Sequence, residues 1–145
     1  MLAADMTALP ALTASLQLLP ADATGYVVIE ILSEQDKQEF AVPENMSVHW
    51  IVNPEAGSEE SPLAEAVANL PWLKGQPAIW TACEFKTMKK IRQYYRETRS
   101  VPKSHLYISS YWKFGLAEEA HKVAKRMDSS APSLPGKIKS ALFGR

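Results

Sequence analysis

The stretch Tyr26-Val27-Val28-Ile29-Glu30-Ile31-Leu32 constrains the fold more than any other part of the chain. It is a nearly continuous, β-branched apolar run, which suits a strand covered on both faces rather than one wetted on alternate residues. Such strands sit in parallel sheets, and parallel neighbours need crossover connections, usually helices. The rest of the chain supplies both. Met1-Leu2-Ala3-Ala4 reads as the end of a buried strand. Ser47–Val52, Pro77–Ala82 ending at Cys83-Glu84, and Leu106–Ser110 read as three more. Between them lie helical patterns. Leu9, Leu12, Leu16 and Leu19 recur at helical spacing, with Pro10 in the first turn where its missing N–H costs nothing. Pro62–Leu70 puts Leu63, Val67 and Leu70 on one side. Phe85–Thr98 turns Met88, Ile91 and Tyr95 inward and Lys89, Arg92, Arg96 and Arg99 outward. A last helix is expected over Ala117–Met127. The pattern predicts an α/β fold: an open, mostly parallel five-stranded sheet with helices on both faces.

A chain of 145 residues can enclose one core, so a single domain over residues 1–127 is expected. The tail from 128 to 145 is rich in Ser, Pro and Gly and is expected to be flexible. Lys+Arg and Asp+Glu balance at 16 each, which argues against a nucleic-acid partner. No window carries the ~18 apolar residues of a membrane span. The start does not read as a signal peptide, because its first basic residue is Lys37 and Asp5 and Pro10 interrupt it. A cytoplasmic protein is expected.

In open α/β sheets ligands bind at the carboxyl ends of the strands, where strand order reverses. That singles out Asp5–Thr7, Glu30–Ser33, Asn53–Gly57, Ala82–Glu84 and Ser110–Lys113. The turn at Asp5–Thr7 has two readings: a helix cap, or free N–H groups and a positive dipole end awaiting a pyrophosphate. No glycine-rich dinucleotide fingerprint, phosphate-binding loop or Gly-x-Ser-x-Gly elbow is present. Three scattered histidines and one cysteine give no metal-ligand spacing. Cys83, at the end of a buried strand, reads as a packing thiol. His49 reads as facing solvent or a neighbouring helix, His105 as part of a loop, and His121 as a surface partner of Glu118. Lys86, Lys89, Lys90, Arg92, Arg96 and Arg99 read as a solvated face. Trp50 and Trp80 read as core, and Trp112 as the functional tryptophan.

At these same strand ends the chain resembles the siderophore-interacting protein family. Ala4-Asp5-Met6-Thr7-Ala8-Leu9-Pro10-Ala11-Leu12 is similar to its Gly-Asp-Glu-Thr-Ala-Leu-Pro-Ala-Ile stretch. Trp80 and Ala82-Cys83-Glu84 resemble its tryptophan-bearing strand and Ala-Gly-Glu turn. Ser110-Tyr111-Trp112-Lys113-Phe114-Gly115 resembles its Gly-Tyr-Trp-Arg-x-Gly segment. The likeness runs in order from about Leu2 to Lys125. It implies a ferredoxin-reductase-like nucleotide-binding domain that passes hydride from NADPH or NADH to FAD, reducing ferric siderophore to Fe(II). Asp5, Thr7 and Ala8 would face the pyrophosphate or nicotinamide side. Ala82, Cys83 and Glu84 would border the nicotinamide. Tyr111 and Trp112 would line the mouth shared with the flavin, with Lys113 toward the anionic ferric siderophore.

The chain departs from the family pattern at several places. Ala4, Cys83 and Ser110 stand where the family has Gly, Met6 where it has Glu, and Asn53 where many members have an Arg able to meet a 2′-phosphate. The family's flavin-binding barrel has no counterpart here, so FAD is expected only where that barrel is supplied, and the domain alone is not expected to turn over. A rival of another class is a non-catalytic binding module with a narrowed cleft; a third is a nucleic-acid contact through the cationic helix. A shortened first strand would leave part of the sheet open to pairing with a second copy.

Overall fold

A computed structural model of the chain describes residues 1–57, 59–116, 125, 126 and 128. Five strands form one sheet: β1 (Leu2–Asp5), β2 (Gly25–Ile31), β3 (Met46–Val52), β4 (Ile79–Glu84) and β5 (Leu106–Trp112). Their order across the sheet is β3-β2-β1-β4-β5 and every pairing is parallel. The three central strands are the most apolar. Ala3, Ala4, Val27, Val28, Ile29, Ala82 and Cys83 are sealed from solvent there. At the edges the requirement relaxes: β3 buries only Met46 fully, and β5 only Ser110.

Alternation along the strands sends side chains to two separate cores. On one face, α1 (Leu9–Gln17) lays Leu9, Leu12 and Leu16 over Leu2, Ala4, Val27, Ile29 and Trp80. On the other face, α2 (Pro62–Asn69) and α3 (Phe85–Gln93) pack Leu63, Val67, Met88 and Ile91 over Ala3, Val28, Ile79 and Cys83. Pro62 opens α2 where a missing N–H is harmless. The parallel sheet with helices on both faces is the architecture expected.

Three boundaries differ from those expected. Strand β4 starts at Ile79 instead of Pro77 and ends at Glu84 as read from the sequence, while β5 runs past Ser110 through Tyr111 to Trp112, which pairs with Glu84 across an irregularity in the ladder. The long helix does not keep one hydrogen-bond pattern: Tyr94–Thr98 widens into a π-helical turn closed by Arg99 N–H to the Tyr94 carbonyl, 3.1 Å. The wider turn still delivers Tyr95 to the core, fully buried against Trp72 and Tyr94. Most of the expected last helix and the tail lie outside the described residues, and so does His121.

Leu12 is fully buried and Leu18 is 60% exposed, so their truncation separates core packing from helix propensity. Leu12→Ala should lower unfolding stability by about 2–5 kcal/mol, and Leu18→Ala by no more than about 0.5 kcal/mol, in urea denaturation. Equal effects would mean that α1 does not pack as described.

Candidate functional site

The strand order reverses between β1 and β4, so the crevice of the fold lies above their carboxyl ends. Asp5 ends β1 and Glu84 ends β4. Asp5 is 4% exposed, yet its carboxylate is fully employed. One oxygen, Oδ1, accepts from the Thr7 backbone N–H at 3.0 Å and from the Thr7 hydroxyl. The other, Oδ2, accepts from the Glu84 N–H at 2.8 Å and from Trp112 Nε1 at 2.7 Å. Four donors from β4, β5 and the one-turn 3-10 helix Met6–Ala8 thus converge on one side chain. The Asp5–Thr7 turn is a cap, with Asp5 supplying the oxygen.

Glu84 repeats the arrangement one strand over. Its Oε2 accepts from the N–H groups of Lys86, 2.6 Å, and Thr87, 3.0 Å, capping α3, and its Oε1 accepts from the Phe114 N–H at 3.2 Å. Glu30, near the end of β2, accepts from the Leu63 N–H in the first turn of α2 at 3.3 Å. Burial pushes the Glu30 carboxyl above its ordinary value, with the Asn53 side chain and Leu63 opposing and the charges of Asp5 and Glu84 adding to the rise. Three buried carboxylates therefore sit beneath the start of three helical segments, each matched to N–H donors at a positive dipole end. Asn53 is 7% exposed, and its Oδ1 accepts from Glu55 N–H at 3.1 Å. Turned inward toward Glu30, it offers nothing to a surface phosphate.

Beneath this layer lie Ala4, Ala8, Ala82 and Cys83, all without exposed surface. Burial first, and then the charges of Asp5, Glu30 and Glu84, push the Cys83 thiol well above its ordinary value. Cys83 is therefore a packing thiol. Ser110 is 2% exposed, and its hydroxyl has no hydrogen-bond partner among the described residues.

Above the carboxylates, β5 delivers the rim. Trp112 is held through its indole, Tyr111 is exposed, and Lys113 is half-buried with its ammonium 4.8 Å from the centre of the Phe85 ring. Phe114 lies over Gly57, whose φ is 85° and where an added Cβ would come within 2.7 Å of the Phe114 ring. Lys89, on α3, places its ammonium 5.6 Å from the same Phe85 ring. Lys86 and Lys90 instead reach Glu59. The site residues expected from sequence, Asp5, Thr7, Ala8, Ala82, Cys83, Glu84, Tyr111, Trp112 and Lys113, fall at one end of the sheet. Phe85 and Lys89 lie beside Lys113 at this end of the sheet, although the sequence reading placed Lys89 only on a solvated face. His49 bonds Ser47 at 2.9 Å and His105 bonds Gln76 at 2.7 Å, both away from the crevice. A cavity of about 280 Å³ opens at the amino ends of β1, β2 and β4 and shares no residue with the site.

Comparison with known proteins agrees with this fold. The sequence family described as siderophore-interacting protein matches residues 1–115. The chain is similar to the ferric vibriobactin reductase ViuB of Vibrio cholerae, 31% identical, covering 83% of this chain and 45% of that protein. It is similar to an uncharacterised protein of Mycobacterium tuberculosis, 33% identical, covering 87% of this chain and 48% of that one. Among solved structures it resembles the siderophore-interacting protein SipS from Aeromonas hydrophila, with TM-score 0.78 and 33% identity over 88% of this chain and 52% of that chain. The chain thus spans about half the length of each of these three relatives.

Two measurements check this site. Asp5→Asn leaves buried donors without an acceptor, at about 1–3 kcal/mol each, whereas Trp112→Phe frees only one bond to Asp5. Denaturant titration should therefore show Asp5→Asn as the more damaging, and the reverse order would remove Asp5 from its central place. Cys83 should resist a thiol-specific disulfide reagent in the folded chain at pH ~8 and react readily in denaturant, since only the thiolate attacks.

Proposed function

The chain belongs to the siderophore-interacting protein family, and from that premise we propose that it is the NAD(P)H-binding α/β half of a flavin-dependent ferric-siderophore reductase. The convergence of Asp5, Glu84 and Trp112 at the reversal of strand order carries this reading. A reduced nicotinamide held there would supply hydride to a flavin on the other half of such a reductase, for reduction of Fe(III).

The residues present suit part of the nucleotide better than the rest. A reduced nicotinamide ring is uncharged, and its carboxamide can donate and accept hydrogen bonds. A rim underlain by Asp5, Glu30 and Glu84 and walled by Tyr111 and Trp112 accommodates such a group without like-charge cost. The pyrophosphate does not suit the turn at Met6–Ala8 or the start of α3. Their N–H groups already donate to Asp5 and Glu84, and a second anion would meet those carboxylates at close range. Within this reading Thr7 borders the site, while Ala8, Ala82 and Cys83, without exposed surface, act only by packing beneath the carboxylates. Glu84 fixes the backbone on the β5 side through Phe114, and Trp112 excludes water from the ring's edge.

The side chains of Ala4, Cys83 and Ser110, all buried at strand ends, favour one alternative, a cleft narrowed into a non-catalytic binding module. Titration with NADH and NADPH, followed by tryptophan fluorescence, distinguishes the two. Saturable quenching in the ~1 μM–1 mM range common for enzyme substrates, reduced in Trp112→Phe, is expected. Because Asn53 is turned inward, NADPH should bind no more tightly than NADH. No response to either nucleotide would overturn the reductase reading in favour of the binding module.

A further inference from the structure

The two edges of the sheet are finished differently. On β5 the ladder is irregular between Cys83 and Glu84, and the Ser110 carbonyl accepts from the Lys125 ammonium at 3.1 Å. Irregularities and lysines of this kind discourage a further strand from adding. Strand β3 has neither. Its register with β2 runs unbroken from Gly25↔Met46 to Ile31↔Val52, and Met46–Val52 holds no Asp, Glu, Lys, Arg or Pro.

The open backbone groups of that edge can be assigned. The Gly25 N–H donates to the Asn45 carbonyl at 3.3 Å, and the Asn53 N–H donates to the Ile31 carbonyl at 2.8 Å. Backbone groups alternate in direction along a strand. Odd-numbered residues of β3 therefore turn theirs to β2, and even-numbered residues turn theirs outward. The Met46 N–H is answered by the Pro43 carbonyl at 3.0 Å. Among the described residues, nothing answers the N–H or carbonyl groups of Val48, Trp50 and Val52. Val48 and Trp50 lie half-buried on the α1 face, where the Phe40 ring meets the indole at 5.8 Å. His49 lies on the other face, its ring 5.7 Å from that of Tyr26.

We propose that β3 is the surface through which two copies of this chain associate, edge to edge and antiparallel, joining their sheets into one. The strand suits a second copy of itself because its outward groups fall on the same alternate residues in both. The register that opposes all seven residues puts His49 on the twofold axis. Val48 then exchanges N–H and carbonyl bonds with the partner's Trp50, and their side chains form β-branched–aromatic pairs on the α1 face. With no ionic side chain on the strand and 16 basic residues against 16 acidic ones overall, the copies meet without repulsion. The axis stands normal to the sheet, so the two crevices face opposite ways and both stay open. The pairing is thus independent of what the crevice binds. One strand pair is small beside the ~1,200–2,000 Å² of stable interfaces, so the dimer should form with Kd of ~10 μM–1 mM.

Sedimentation velocity of the full 145-residue chain from ~1 μM to ~1 mM, combined with cysteine crosslinking, tests the pairing. The parent should shift from monomer to dimer across that range. His49→Lys opposes two ammonium groups on the axis and should raise Kd at least about tenfold, while melting as the parent does at ~1 μM, where monomer prevails. His49→Cys should form an intermolecular disulfide under mild oxidation, because residues facing across the axis in a non-hydrogen-bonded pair have Cα atoms ~4.5 Å apart. Ser47→Cys should not, because position 47 faces Ile51 of the other copy and lies ~13 Å from its own counterpart. Cys83 is without exposed surface and is shared by all variants, so it does not account for a difference between them. A parent that stays monomeric at ~1 mM would refute self-pairing and leave the edge to a strand of another protein. An unchanged Kd in His49→Lys, or crosslinking of Ser47→Cys as readily as His49→Cys, would overturn it equally.

Discussion

The Asp5 carboxylate gathers donors from its own turn, from β4 and from β5, and the site takes its shape from that gathering. A carboxylate in a nearly closed position costs several kcal/mol in lost hydration unless hydrogen bonds replace the water. Asp5 replaces it with four, two of them from partners 79 and 107 residues away in sequence. Strand-end registry, the entry to α1 and the position of Trp112 are therefore solved together. None of the three can shift without leaving a buried oxygen or N–H unanswered.

The same solution sets the electrostatics of the crevice. Open parallel sheets ordinarily leave helix N-termini free to receive phosphate. Here Asp5, Glu30 and Glu84 fill that role from within, and the rise in the Glu30 carboxyl and the Cys83 thiol reflects burial with further like charge close by. Charge that would attract a phosphate is thereby moved outward, from backbone dipoles under the sheet's edge to ammonium groups on its rim.

Most of the fold was legible because it rests on local pattern. The run from Tyr26 to Leu32 announces a doubly covered strand, and Leu9, Leu12 and Leu16 announce the helix above it. Strand ends, once placed, gave Asp5, Glu84 and Trp112 as neighbours. Harder to read was which of two plausible jobs a residue does. Asp5 and Thr7 look the same in sequence whether they cap a turn or frame an anion site, and only the bond from Thr7 N–H to Asp5 decides for the cap. Asn53 looked like a surface residue near a ligand, but its side chain turns inward because Glu30 and Glu55 need a partner there. Lys89 looked like one more cation on a wet face. Its distinction is spatial, since β5 brings Lys113 to the same ring from a distant part of the chain.

That long-range closure bears on how site and fold depend on each other. Strand β5 is an edge strand with one neighbour, β4, and most of its residues are only half-buried. Contacts of this kind form at the greatest loop-closure cost and open most easily. Were β5 to lift from β4, Trp112 would leave Asp5, Phe114 would leave Glu84, and Lys113 would leave Phe85 in one event. Two buried acids would each lose a donor, and that penalty adds to the ladder with β4 that holds the edge down.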